Sequence, residues 1–323
     1  MAGTTRAFRV EAPGQADIAD IPLPDRGPDD VVVRTRHTAV SRGTESLVFG
    51  GQVPASQYAL MRAPFQVGDF PGPVVYGYLA VGEVEAGPGV GRTVFGLYPH
   101  QERAVVPAAS VVAVPDDVPA ARAVLAGTVE TAVNALWDAA PRVGDRVAVV
   151  GAGMVGSAVA GVLATFPGVR VELVDVDESR RAVAEALGVG FATPDAAAGE
   201  CDLVLHASTT EAGLARSLEL LGDEGEVVEL SWFGENAPRV PLGEAFHSRR
   251  LAIRASQVGR VAPARRARWT TADRLRLALR LLADTRFEAL ITDSCAFDDL
   301  PTVLPALAAG RRPGLAVRVD YGA

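Results

Sequence analysis

The chain contains no lysine; all 31 of its basic residues are arginine. That absence excludes Schiff-base chemistry, a P-loop lysine and a Tyr-x-x-x-Lys catalytic pair. The all-arginine usage is read as genome composition rather than as an adaptation to function. Cysteine is almost absent too. Cys201 and Cys295 stand alone, and two isolated cysteines do not make a disulfide framework. No apolar run is long enough to span a bilayer. The start, Met1-Ala2-Gly3-Thr4-Thr5-Arg6, lacks the apolar core of a signal peptide. A cytoplasmic protein with no membrane partner is therefore expected. The net charge of −8 gives no surface for nucleic acid, and the arginine-rich stretch 259–268 reads as a local solvated face.

What is present is more specific. Nearly half of the 323 residues are hydrophobic, which suits two cores rather than one. The apolar run Arg146-Val147-Ala148-Val149-Val150 leads into Gly151-Ala152-Gly153-Met154-Val155-Gly156 and then into a helix-like segment. In this Gly-x-Gly-x-x-Gly, Gly151 permits the tight turn and Gly153 lets backbone approach a pyrophosphate. Gly156 lets the helix pack close to the strand, and the helix N-terminus offers N–H groups to the anion. Asp175 lies 19 residues beyond Gly156, at the end of a second strand-like run. An acid there accepts hydrogen bonds from an adenosine ribose and repels a 2′-phosphate. The pattern predicts a dinucleotide site for NAD in preference to NADP. Asp177 is expected to cap the following helix. Arg180 and Arg181 keep NADP as the minority reading, against a solvated helix face.

Along the chain, residues 1–117 are rich in Val, Gly and Pro. Runs at 31–36, 81–84 and 104–106 read as strands in an all-β pattern with barrel-like spacing. Residues 120–139 look helical. Strands then alternate with helices: strand 146–150, helix 153–165, strand 171–175, helix 178–187, strand 202–206, helix 211–221, and strands 226–230 and 251–256. Helix 178–187 places Ala182, Val183, Ala186 and Leu187 on one face, and Gly188 can end it. This alternation implies an α/β fold with a doubly wound parallel sheet. After residue 262 a helix starts at Thr271-Ala272-Asp273, and a last strand at 315–319 is expected to return to the first domain. The parallel-sheet domain, 118–262, is thus inserted between 1–117 and 263–323.

A β domain, a central dinucleotide fold and a short return resemble the medium-chain dehydrogenase/reductase superfamily, the alcohol-dehydrogenase-like proteins. Ala39-Val40-Ser41-Arg42-Gly43-Thr44-Glu45 resembles the family's Gly-Ile-Cys-Gly-Thr-Asp segment. Gly77-Tyr78-Leu79-Ala80-Val81-Gly82 sits where the family has Gly-His-Glu, and Gly91-Arg92-Thr93-Val94-Phe95-Gly96 resembles its Gly-Asp-Arg-Val strand. The overall pattern also resembles a sub-branch that includes the bacteriochlorophyllide hydroxyethyl dehydrogenases. The resemblance implies a GroES-like β-barrel-type catalytic domain carrying an inserted Rossmann domain, a small-molecule substrate and a homodimer. The exposed edge of strand 251–256 is the expected pairing edge.

The departures from the family matter as much. Its catalytic zinc is held by a Cys, a His or Glu, and a further Cys or acid. Here those positions fall on Ser41 or Arg42, on Tyr78, and on Ala126 or Gly127. Hydroxyls and alanine do not replace thiolate and imidazole on zinc. No cysteine precedes Cys201, so the structural zinc lobe is also expected to be absent. Proton handling then passes to side chains. Tyr78 offers a phenol at a former ligand position, or is simply a packed tyrosine. Glu45 matches the family's acid and offers a base or an arginine partner. Ser41 offers a hydroxyl. His100 is the best placed of the four histidines as proton carrier; His37 is placed in a strand, His206 at a strand end and His247 in a loop. Glu130, at the start of a helix, either contacts cofactor or substrate or complements the helix dipole. Ser208 and Ser231 sit at the carboxyl ends of strands, where ligands bind such sheets.

The leading expectation is a zinc-independent NAD-dependent oxidoreductase interconverting a secondary alcohol and ketone on a cyclitol, sugar-like or other specialised metabolite. An NAD(P)H-dependent quinone or enone reductase and a non-catalytic dinucleotide-binding protein are the alternatives.

Overall fold

Residues 3–243 and 245–322 are described in the computed structural model of the chain. They fall into two units, Met1–Gly127 with Ile291–Ala323, and Thr128–Leu290. Among the described residues no helix is long and apolar enough to cross a membrane.

The first unit is built around the strand Asp30–Val40. Its alternation turns Val31 and Val33 inward. That strand pairs antiparallel with Ala80–Ala86, with Arg103–Pro107 and with the C-terminal strand Ala316–Asp320. The last pairing, with Val319 opposite Thr38, is the expected return of the chain to the β domain. Val31, Val33, Ala80, Val84, Val94, Tyr98, Ala104 and Val106 form the core between these strands. A second sheet pairs the hairpin Thr4–Ala12 and Gln15–Pro22 with the short strands Val74–Val75 and Val67–Gly68.

The second unit holds a six-stranded, wholly parallel sheet. In spatial order its strands are Gly190–Ala192, Arg170–Val174, Arg146–Val150, Cys201–His206, Leu221–Glu229 and Ala252–Ala255. This is the Rossmann order, with the switch point between the strands ending at Val150 and His206. The helix Met154–Leu163 has nine buried residues in ten, because it lies directly on the sheet.

Three expectations need correction. The helix anticipated over 120–139 is two helices, Ala120–Ala123 and Ala126–Ala139. The units divide at 127/128 and 290/291 rather than at 118 and 263. The reason is packing: Ala120–Ala123 lies on strands of the first unit, whereas the turn Thr285–Leu290 packs on Met154–Leu163 and Arg181–Leu187 of the second. Finally, the helix before Gly188 buries Val183, Ala184 and Leu187 but exposes Ala182 and Ala186. Its first turn, Glu178–Arg180, is a 3-10 turn, whose tighter period rotates the face that follows. Gly188 does end this helix in the left-handed conformation, and Asp177 accepts from the Ser179 N–H as a cap.

Candidate functional site

In the second unit the strand Arg146–Val150 turns through Gly151, at φ +106°, into the helix Met154–Leu163. A Cβ on Gly156 would lie 1.9 Å from the Gly151 carbonyl oxygen, so only glycine lets helix and turn approach this closely. A Cβ on Gly151 would lie 2.6 Å from the Ser208 nitrogen. Beside Gly153, by contrast, a Cβ would meet nothing within 4 Å, which leaves the face of the turn open. Gly153 is the N-cap and supplies no side-chain cap, so the first N–H groups, those of Met154 and Val155 among them, point out of the helix end without a side-chain acceptor.

Asp175 is half-buried beside this turn. Its Oδ2 accepts from the Ala152 N–H at 2.7 Å, and its Oδ1 accepts from the Asp177 N–H at 2.9 Å. Each carboxylate oxygen keeps a lone pair for a ribose hydroxyl. Arg180 is turned to Asp177 at 3.2 Å. These residues fit a dinucleotide: a glycine turn, a helix N-terminus for the pyrophosphate, and a carboxylate placed for the adenosine ribose.

Ser208 and Ser231 follow the strands Cys201–His206 and Leu221–Glu229 at the same sheet edge. The Ser231 hydroxyl accepts from the Thr209 N–H at 3.1 Å. Glu130 is 5% exposed, and its Oε1 accepts from Arg274 Nε at 3.0 Å. Arg274 is itself 1% exposed and also donates to Asn134 and to the carbonyls of Arg260 and Val258. The carboxylate of Glu130 is thus held in an interior ion pair, an engagement invisible in the sequence. Burial pushes the Glu130 carboxyl above its usual range, against the pull of Arg274.

In the first unit, Ser41, Glu45, Tyr78 and His100 come together. Ser41 is the N-cap of the helix Arg42–Phe49, but its hydroxyl makes no cap. Glu45 reaches back instead, its Oε1 accepting from the Ser41 N–H at 2.7 Å. The freed Ser41 hydroxyl accepts from the Tyr78 phenol at 2.6 Å. The other oxygen of Glu45 meets His100 Nε2 at 2.9 Å, and His100 Nδ1 meets the Thr38 hydroxyl at 2.7 Å. Thr38 in turn lies 3.4 Å from the Tyr321 phenol. Gly77 makes room for this: a Cβ there would lie 2.7 Å from the His100 ring. His100 and Glu45 are 1% and 3% exposed, whereas Tyr78 and Ser41 remain partly open. Burial pushes the Tyr78 phenol up to about 12, so it stays a neutral O–H donor at ordinary pH.

Thr38, Tyr321 and Glu229 are polar partners that sequence reading does not single out, and His206, expected at a strand end and found there, is not expected to meet Glu229. Register is the signal that finds them: Thr38 stands opposite Val319 and His206 beside Glu229 only once the strand order is known. His37 lies in its strand as expected and meets Asp320 at 2.7 Å. His247 lies exposed in the short helix Ala245–Ser248 rather than in a loop. Among the described residues, no group of three His, Cys, Asp or Glu side chains is placed to hold a metal. The side chains at Ser41 and Tyr78 are hydroxyl donors and Ala126 has none, a donor set that does not fit zinc.

No protein-family profile matches the chain. A stretch of 91 residues is 36% identical to 2-desacetyl-2-hydroxyethyl bacteriochlorophyllide A dehydrogenase of Cereibacter sphaeroides; it spans 27% of this chain and 24% of that protein. Among solved structures, L-idonate 5-dehydrogenase of Escherichia coli K-12 superposes with a TM-score of 0.80 at 14% identity, covering 99% of each chain. A zinc-binding dehydrogenase assignment from Sinorhizobium meliloti, bound to NADP, gives 0.77 at 18% identity, covering 98% of this chain and 99% of that one. The fold is therefore that of the alcohol-dehydrogenase-like medium-chain dehydrogenases and reductases, GroES-like plus Rossmann, over nearly the whole chain.

Proposed function

We propose that this protein is an NAD-dependent oxidoreductase that interconverts a secondary alcohol and a ketone on a specialised small molecule without zinc. The observation that carries this reading is the glycine turn at the switch point of the parallel sheet, with Asp175 held beside it. Gly151–Gly156 and the helix N-terminus would hold the pyrophosphate, and Asp175 the adenosine ribose. When bound, the nicotinamide supplies the hydride chemistry. NAD rather than NADP follows from charge: the Asp175 carboxylate would face a 2′-phosphate, and Arg180 is already directed at Asp177. The dinucleotide in the Sinorhizobium meliloti protein is NADP, so this preference rests on the residues of this chain.

The chain's own side chains handle the proton. Tyr78 and Ser41, the partly open members of their cluster, are hydrogen-bonded at 2.6 Å. In the reducing direction the Tyr78 phenol would give its proton to the forming alkoxide and regain one from water, with Ser41 orienting the phenol oxygen, and oxidation is the reverse. The burial of Glu45 and His100 makes them positioning residues: Glu45 fixes the Ser41 backbone and His100 fixes Glu45. Removing zinc from the reading follows from the donor set at Ser41, Tyr78 and Ala126. A homodimer paired through Ala252–Ala255 completes the proposal, because that edge strand is exposed at all four residues.

The test is turnover of a panel of secondary alcohols and polyols, and separately of enones, with NAD(H) and NADP(H), on protein analysed for metal. Alcohol oxidation favouring NAD, by protein without stoichiometric zinc, is expected. Turnover of enones alone would replace the alcohol assignment by the reductase reading, and stoichiometric zinc would remove the metal-free one.

A further inference from the structure

A third polar cluster lies at the carboxyl edge of the parallel sheet, and the function above does not use it. His206 ends one strand and stands in register beside Glu229 at the end of the next. Its ring is fully buried, at 0% exposure, with Phe233 stacked on it at 6.3 Å between centroids. Nδ1 lies 2.7 Å from Glu229 Oε2, and Nε2 lies 2.7 Å from the Ser208 hydroxyl. The other Glu229 oxygen accepts from the Ser231 N–H at 2.7 Å.

The order of donors follows from the carboxylate. A carboxylate at Glu229 only accepts, so Nδ1 is the ring nitrogen that donates to it, and in the neutral ring that tautomer leaves Nε2 to accept from the Ser208 hydroxyl. Its oxygen faces the Thr210 hydroxyl at 2.8 Å and accepts from the Thr210 N–H at 3.3 Å. Thr210 caps the helix Glu211–Glu219 by accepting from the Gly213 N–H. One chain of bonds, Glu229–His206–Ser208–Thr210, therefore ties two strand ends to a helix start. Between Ser208 and Thr210, Thr209 is held at φ +57°, a conformation rare for a β-branched residue. Strain of this kind persists only where surrounding structure enforces it, and it clusters at ligand sites.

The place of this network is also specific. Ser208 packs on Gly151, the first glycine of the turn. Asp175 serves the half of the sheet built from the strands ending at Val150, Val174 and Ala192. Ser208 and Ser231 belong to the other half, which in such folds takes the second nucleotide. We infer that His206 is a positioning residue for the nicotinamide nucleotide: it fixes the Ser208 hydroxyl and the strained 208–210 turn against which that half of the dinucleotide seats. The inference rests on the dinucleotide reading.

The test compares NADH with ADP-ribose, which lacks the nicotinamide, by titrating wild type, His206→Phe and Ser208→Ala. Both variants are expected to weaken NADH roughly tenfold, the worth of one well-placed hydrogen bond, with ADP-ribose unchanged within about twofold. His206→Gln, which keeps a polar side chain between Glu229 and Ser208, is expected to recover part of the loss. Equal weakening of both ligands would mark a merely structural role and overturn the inference, as would unchanged binding of both. If His206→Phe does not fold, Ser208→Ala, at a partly exposed position, decides by the same criteria. Wild type binding neither ligand would instead overturn the dinucleotide reading itself.

Discussion

At the scale of single residues, each proposed role depends on where burial leaves a polar atom. Tyr78 keeps its O–H because burial pushes its phenol up to about 12. Tyr78→Phe is expected to lower kcat by about a hundredfold with a small change in KM, the range typical of a lost acid–base group. Because the folded-state phenol titrates far above neutrality, kcat between pH 6 and 9 should carry no limb that Tyr78→Phe removes. A limb in that window lost in the variant would contradict the assignment. Asp175→Ala is expected to raise the KM for NAD about tenfold and to narrow the preference over NADP, as measured by initial rates with both. Glu130 belongs to stability instead. Arg274→Ala leaves its buried carboxylate unpaired and should cost about 3–5 kcal/mol, read as a fall in denaturation midpoint. Residue identity made Ser41, Glu45 and Tyr78 legible as candidates, since each sits in a short motif, and His100 by its place among four histidines. Arg274 was not legible, because nothing local distinguishes a core arginine from the solvated ones around it.

At the scale of elements, the sequence is most transparent where one period dominates. Strand 146–150 and the glycine turn were readable because Gly151 and Gly156 each answer a steric demand that only glycine meets. Gly156→Val is expected to abolish NADH binding, because its side chain cannot occupy the 1.9 Å gap to the Gly151 carbonyl; saturable binding at wild-type affinity would contradict this. The hairpin Thr4–Ala12 and Gln15–Pro22 was not readable. Its arginines and acids interrupt the apolar alternation, and its stability comes from pairing with Val74–Val75 far along the chain. The shifted face of Arg181–Leu187 has the same lesson, since a 3-10 turn changes phase without changing composition. Edge strand Ala252–Ala255 gives a test of the dimer. Ile253→Pro removes a backbone donor from that edge and should convert the protein to monomer by light scattering, leaving its fold intact.

At the scale of the whole molecule, the order of elements was the strongest evidence in the sequence. A β segment, an alternating segment and a final strand can be assembled in few ways, and the C-terminal strand does pair with Asp30–Val40. The unit boundaries were less legible, because composition does not report which neighbour a helix such as Ala120–Ala123 packs upon. The polar clusters were half legible for the same reason. Some of their members are separated widely in sequence and meet only in the folded chain, as Thr38 meets His100, or through strand register, as His206 meets Glu229. The central claim is that the glycine turn and Asp175 make this an NAD-binding protein. Its most direct test is titration of the purified protein with NADH and NADPH, followed by nicotinamide fluorescence. Saturable binding is predicted for NADH, at least about tenfold tighter than for NADPH. Tighter binding of NADPH, or no saturable binding of either, would contradict the account.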